Sequence, residues 1–261
     1  MSDHLERIVA SKRAEIELLR KKRRARVVRE PLRVEPALRR PGSLALIAEI
    51  KHRSPSAGAL SQALNAGERA VAYAHAGAAM VSVLCDGPFF GGSYDDVARA
   101  RAALDAADLR IPILAKEFVL DEVQVECALE AGADAVLIIV RIVGEPLLVH
   151  LVAVCRSHAL EPFVEVASQP ELVRALDAGA RTIGVNTRDL DTLAMDADAA
   201  RLVLEKIPAD RVAVHLSGLR TEEDIERCAQ SRADAALVGE ALMRLDEPSD
   251  LLRRMLARAG K

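Results

Sequence analysis

Six side chains in this sequence could do chemistry together. Glu49 and Lys51 close the apolar run LALIAEI (44–50), Lys116 lies in IPILAKEF (111–118), Glu165 in EPFVEV (161–166), and Asn186 and Arg188 follow TIGV. Each run is short, apolar and rich in branched residues, as a strand covered on both faces should be. Side chains alternate faces along a strand. Ile47, Glu49 and Lys51 therefore share one face, as do Leu114, Lys116 and Phe118; Phe163 and Glu165 share another, and so do Gly184, Asn186 and Arg188. Four strands that end in such groups could bind an anion and move a proton. The competing reading is structural ion pairing. Buried charge is costly unless paired, and four separate strands bearing it at the same end is hard to explain as packing. A working site is the better reading.

The elements that must position these groups repeat along the chain. AHAGAAMVSVL (74–84), LEAGADAVLIIV (129–140) and LDAGARTIGVNT (176–187) share a helix end, Ala-Gly-Ala and an apolar run; SRADAALVGEALM (231–243) is a looser copy. Gly77, Gly132 and Gly179 suit the left-handed position that closes a helix. With LALIAEI, IPILAKEF, EPFVEV and RVAVHL (211–216), eight strands result. Asp121 with Gln124, Ser168 with Glu171, and Thr221 with Asp224 read as helix N-caps. Eight strand–helix units over about 220 residues is the arithmetic of a (β/α)8 TIM barrel. A doubly wound sheet competes, but its usual glycine-rich first turn, GxGxxG, does not occur. The expectation is one domain over 1–261: an N-terminal helical extension over 1–40 and a barrel over 41–261. In such barrels chemistry lies at the C-terminal strand ends, and loops seven and eight commonly hold phosphate. Ser217-Gly218 and Gly239-Glu240 stand there, small enough for backbone N–H groups to approach an anion.

Bulk composition excludes several classes. The 36 basic and 39 acidic residues give a net charge of −3, so no general attraction to nucleic acid or anionic membrane follows. Six aromatics without tryptophan make a base-stacking platform improbable. No apolar segment reaches the roughly 20 residues that span a bilayer, and MSDHLERIVASKRAEIE lacks the apolar core of a secretory signal. Cys85, Cys127, Cys155 and Cys228 are far apart, with no CxxC, as in a reducing cytoplasm without disulfide or zinc framework. The basic run RKKRRAR (20–26) ends a helical pattern with Leu5, Ile8, Val9, Ile16 and Leu19 near one face. Cations at a helix C-terminus are favoured by its dipole, which explains the run without a ligand; a phosphate or partner contact is the competing reading.

Six stretches in order, AEIKHRSPSAG (48–58), SVLCDGPFFGGS (82–93), ILAKEF (113–118), FVEV (163–166), IGVNTRDL (183–190) and LSGL (216–219), give the chain a family likeness. It resembles indole-3-glycerol-phosphate synthase, the barrel enzyme of tryptophan biosynthesis, over its whole length. The resemblance implies a carboxy-lyase that closes 1-(2-carboxyphenylamino)-1-deoxyribulose 5-phosphate to an indole with loss of carbon dioxide and water. It implies no metal or organic cofactor, and a small phosphorylated substrate as the only partner. By the same resemblance Lys116 is the general acid and Glu165 the general base. Lys51 holds the substrate carboxylate or phosphate, Glu49 orients the lysines, Ser54 binds the carboxylate and Phe118 packs on the aryl ring. Asn186 and Arg188 position the closing ring, while Ser217, Gly218 and Gly239 cradle phosphate. A lysine beside another cation is also expected to have a lowered pKa, which would make it a usable acid near neutrality. Monomer and homo-oligomer both stay open.

Three positions depart from the family pattern. A glutamate usually precedes the Ser-Gly after strand seven; here it is Leu216, with His215 before it. Lys-Asp-Phe becomes Lys116-Glu117-Phe118, and Asn-Asn-Arg becomes Asn186-Thr187-Arg188. Cys85 and Ala167 are smaller oddities. Only the leucine removes an ionisable group from an inward face, and His215 points the other way on a strand. The readings that follow are a synthase with a modified site, a paralog acting on a related aryl-amino sugar phosphate, and a phosphate-ligand-binding barrel without turnover. The retained acid and base favour the first.

Overall fold

The computed structural model describes residues 3–21, 29–54, 58–187 and 196–261. Eight parallel strands form its centre: β1 (Ser43–Ile50), β2 (Met80–Leu84), β3 (Ile113–Lys116), β4 (Ala135–Ile139), β5 (Glu161–Val166), β6 (Thr182–Asn186), β7 (Val212–Leu216) and β8 (Ala235–Val238). Each pairs with the next, and β8 pairs with β1, so the sheet closes into a barrel. Every expected strand is present, within a few residues of its expected ends.

The helices, in chain order, begin with α1 (Asp3–Arg20) and α2 (Glu35–Leu38) ahead of the barrel. Then come α3 (Ala66–Ala76), α4 (Gly87–Phe90), α5 (Tyr94–Ala106), α6 (Glu122–Glu130), α7 (Glu145–Ser157) and α8 (Gln169–Asp177). The last four are α9 (Ala197–Glu205), α10 (Glu222–Ala229), α11 (Glu240–Met243) and α12 (Ser249–Ala257). Gly77, Gly132 and Gly179 have φ of 106°, 90° and 84°, the left-handed closure the repeat requires. Asp121, Ser168 and Thr221 each cap the helix that follows, accepting from backbone N–H groups. Among the described residues no helix is long and apolar enough to cross a membrane.

Period two sorts the strands into two cores. Along β1, Leu44, Leu46, Ala48 and Ile50 pack outward under the helices, while Ala45 and Ile47 face the barrel axis with Leu114, Leu137, Phe163, Val214 and Leu216. The segment ahead of β1 serves both ends of that barrel. Val34 and Leu38 join the inner core beside Ala45, Met80 and Ala135 near the N-terminal strand ends. Arg29 ties down there, donating to the carbonyls of Gly132 and Ala133 and to Asp134. By contrast α1 lies at the other end. Its Lys12 meets Asp86 after β2 and Glu117 after β3, and Arg20 meets Asp121. Residues 22–26 of the basic run lie outside the described residues.

Candidate active site

Glu49 is the centre of the mouth. Its carboxylate is 3% exposed and bonds two lysines, Lys51 Nζ at 2.6 Å through Oε2 and Lys116 Nζ at 3.1 Å through Oε1. Burial alone would raise this carboxyl, but Lys116 and Lys51 outweigh it and hold its pKa down, at about 2. Burial is also the largest influence on Lys116 and pulls it down; Glu49 and Glu165 together reverse this, and the net shift is upward. That corrects the expectation of a lowered lysine. The neighbouring cation matters less than the carboxylate shared between them, so Lys116 is a protonated reservoir at neutral pH.

Glu165, on the far wall, is raised by burial, against the pull of Lys116 and a hydrogen bond from Asn186 Nδ2 at 2.9 Å. The carboxylates thus diverge: one held as an anion, the other made more basic than an ordinary glutamate, as a base should be. Phe118 lies just beyond β3 and is nearly buried, its ring 6.2 Å from that of Phe90. Ser54 lies on the short strand Arg53–Ser54, which pairs with Gly58–Ala59 in the loop after β1. Arg188, Pro55 and Ser56 lie outside the described residues.

The loops after β7 and β8 are shaped by backbone. Ser217 and Gly218 are both left-handed, φ 71° and 84°, unusual for serine. The Thr187 hydroxyl lies 3.2 Å from the carbonyls of Leu216 and Ser217, and His215 Nε2 lies 3.1 Å from the latter. His215 faces outward, and burial lowers its pKa; it does not replace an inward carboxylate. Leu216 does point inward, across from Asn186, and its side chain fills the space beside Gly184, where a Cβ would come within 2.6 Å of Leu216 and 2.7 Å of Phe163. Gly239 has its own constraint. A Cβ there would collide with Glu49 Oε2 and reach 3.0 Å from Lys51 Nζ, so this glycine makes room for the ion pair as well as standing at a loop start.

The sequence model of the indole-3-glycerol phosphate synthase family matches residues 5–255. The chain belongs to that family. It is 40% identical to an indole-3-glycerol phosphate synthase of Desulfosudis oleivorans, over 82% of this chain and 80% of the relative. A relative of that name from Mycobacteroides abscessus is 40% identical over 92% of this chain and 86% of its own. One from Albidiferax ferrireducens is 39% identical, covering 99% and 100%. Among solved structures, 3-hexulose-6-phosphate synthase superposes with a TM-score of 0.64 at 18% identity, covering 83% of this chain and all of that one. Thiamine phosphate pyrophosphorylase from Pyrococcus furiosus gives 0.62 at 15%, covering 84% and 96%. At such identities these two bear on the barrel alone.

In this family member the inward faces read from the sequence gather Glu49, Lys51, Lys116, Glu165 and Asn186 at one mouth. Three groups there escaped sequence reasoning. Arg141, just past β4, pairs with Glu171 at 3.0 Å, and it sits at a strand end like the others. Arg53 donates to the carbonyls of Gly87 and Pro88, fastening the loop after β1. The third is Lys12, buried beneath α1. Its signal was available: it falls in the 3–4 spacing of Leu5, Ile8, Val9, Ile16 and Leu19, a charge set in an apolar stripe.

Proposed function

We infer that the chain closes 1-(2-carboxyphenylamino)-1-deoxyribulose 5-phosphate to indole-3-glycerol phosphate, releasing carbon dioxide and water. The observation that carries this is Glu49 bridging Lys51 and Lys116 in a member of the synthase family. In the first step the ring carbon bearing the carboxylate attacks the ketone carbon, and Lys116 gives its proton to the ketone oxygen. Carbon dioxide then leaves, and its bonding electrons restore the ring. In the second step Lys116, reprotonated from solvent, gives a second proton to the new hydroxyl, which departs as water, while Glu165 takes a proton from the adjoining methylene carbon. Lys51 holds an anionic group of the substrate, Ser54 binds its carboxylate, Phe118 lies along the aryl ring, and Asn186 and Arg188 position the closing ring. Ser217, Gly218 and Gly239 face the phosphate. Lys51 and Lys116 share the Glu49 carboxylate, so each ammonium keeps donors for a substrate carrying both carboxylate and phosphate.

A second reading rests on Leu216. Where the family pattern places a carboxylate, this chain has a side chain packed on Gly184 and Phe163, and that apolar patch suits a related, less polar aryl-amino sugar phosphate. Steady-state turnover, followed by indole fluorescence, separates the two. The synthase reading expects turnover in the parent, a loss on the order of 10²–10⁴-fold in kcat for Lys116→Ala and Glu165→Gln, and an unchanged or raised rate for Leu216→Glu. A silent parent that gains activity as Leu216→Glu would move the assignment to the related substrates. Silence in both would sink the reading for this substrate.

A further inference from the structure

The mouth already described leaves one buried cation unused. Lys12 is fully enclosed, with Nζ 2.8 Å from Glu15 Oε2, 2.8 Å from Asp86 Oδ1 and 3.0 Å from Glu117 Oε1. Asp86 and Glu117 are as enclosed as the lysine, while Glu15 keeps contact with solvent. Each sealed carboxylate also holds backbone of an aromatic residue. Asp86 Oδ2 accepts the N–H groups of Phe89 at 2.7 Å and Phe90 at 3.0 Å, forming the cap of α4. Glu117 Oε1 accepts the N–H of Phe118 at 2.7 Å. The two loops are joined again by Cys85 N–H to the Lys116 carbonyl at 2.9 Å. Above them, Leu5 and Ile8 of α1 belong to the same apolar cluster as Phe118, with Phe89 and Phe90 packed against it.

We propose that Lys12 is a positioning residue for the reaction: through Asp86 and Glu117 it sets the Phe90–Phe118 pair and the β3 end that presents Lys116. The inference rests on the synthase reading, since it assigns the aromatic pair to the aryl ring. One ammonium joins three chain segments, and without it the buried Asp86 and Glu117 side chains lose the partner they share in a dry interior. Without it, Asp86 and Glu117 separate or admit water, and the aromatic backbones they hold move with them. A shift of about 1 Å in such groups costs on the order of a hundredfold in rate. None of these ion pairs and hydrogen bonds of Lys12, Asp86 and Glu117 runs to the loop after β7.

The test uses full-length Lys12→Met and Lys12→Arg beside the parent, each assayed well below its own Tm. Where Lys12→Met does not fold, Lys12→Met with Glu117→Gln replaces it, carrying one buried carboxylate fewer. Two readouts are taken: peptide-level hydrogen exchange, and kcat and KM with the competitive inhibition constant of inorganic phosphate. Expected are faster exchange over 86–90 and 117–120 but not over 216–219, and a fall of about thirtyfold or more in kcat/KM. The phosphate constant should move less than twofold, and Lys12→Arg should recover to within about fivefold of the parent. Exchange that is unchanged, or raised evenly, overturns the proposal. So does a kcat/KM within threefold of the parent, or a phosphate constant that weakens in step with kcat/KM, since either is what a merely structural strap would give. A parent without turnover sinks the synthase reading, and the proposal with it.

Discussion

Two ion clusters lie within the same end of the barrel, and their imbalance is opposite. Around Glu49, two lysines share one carboxylate, and both remain partly open to solvent, 14% and 21% exposed. Around Lys12, one ammonium serves two carboxylates, all three sealed, with Glu15 at the edge. The first has more ammonium donors than Glu49 can take and an opening, so it can accept an anion from outside. The second has a surplus anion and no opening, so it is completed by a proton: burial, with Asp86 adding to it, pushes Glu117 up to about 7 despite Lys12. The same residue types therefore make a binding site or a clamp according to which charge is in excess and whether water can reach it.

The largest effect that would break the contrast is expected for Glu49→Gln. It leaves two ammoniums without their shared anion, which should cost roughly 3 kcal/mol of stability and release Lys116 downward in pKa, moving the basic limb of kcat/KM to lower pH; an unmoved limb would show that Glu49 does not govern Lys116. The parent carries the matching sign. Because folding lowers the Glu49 carboxyl to about 2, its stabilisation is complete above about pH 4.3 and is lost as pH falls toward 2, visible as acid destabilisation that Glu49→Gln lacks. Next is Gly239→Ala, whose methyl would collide with the Glu49 carboxylate. A cost of about 2 kcal/mol and about a tenfold fall in kcat/KM are expected, against almost nothing if the glycine serves phosphate alone and the backbone can shift.

Smaller effects should appear at the sealed cluster. The native Glu117 carboxyl is raised, so its contribution to stability is present at low pH and fades as pH rises from about 4.3 through about 7. Glu117→Gln should flatten that decline, a difference on the order of 1 kcal/mol and 2–4 °C in Tm near pH 8; parallel Tm profiles for parent and variant would contradict it. Glu15→Ala should be the mildest. Its carboxylate is one-third exposed, and solvent screens such a contact to about 0.5 kcal/mol or less. A larger loss in thermal denaturation would mean that Glu15 belongs to the sealed set.

Much of this arrangement could be read from the sequence because it depends on local rules. The strand period alone placed Glu49, Lys116 and Glu165 on one inner surface, and Ala-Gly-Ala placed the helix ends. What stayed hidden depends on partners distant in sequence. The direction of the Lys116 shift is set by Glu49, 67 residues away, and the neighbouring cation alone suggested the opposite sign. Lys12 showed no role in the sequence because its partners Asp86 and Glu117 come much later in the chain. Gly239 read as a phosphate contact, since no local rule says that another strand's carboxylate lies above its Cα. Leu216 was legible as a departure and as inward-facing; its packing on Gly184 depends on β6 lying beside β7.

Lys12 and Glu117 are 105 residues apart, and this separation has a consequence for synthesis. Chains grow at roughly 5–20 residues per second, so Lys12 is made about 5–20 seconds before Glu117 exists. Through that interval its apolar stripe is exposed at the ribosome, interrupted at its middle by an ammonium. The charge that later clamps the helix against the barrel also makes the helix a poor partner for any other nascent apolar surface. It acts first as a guard against sticking and only afterwards as a fastener.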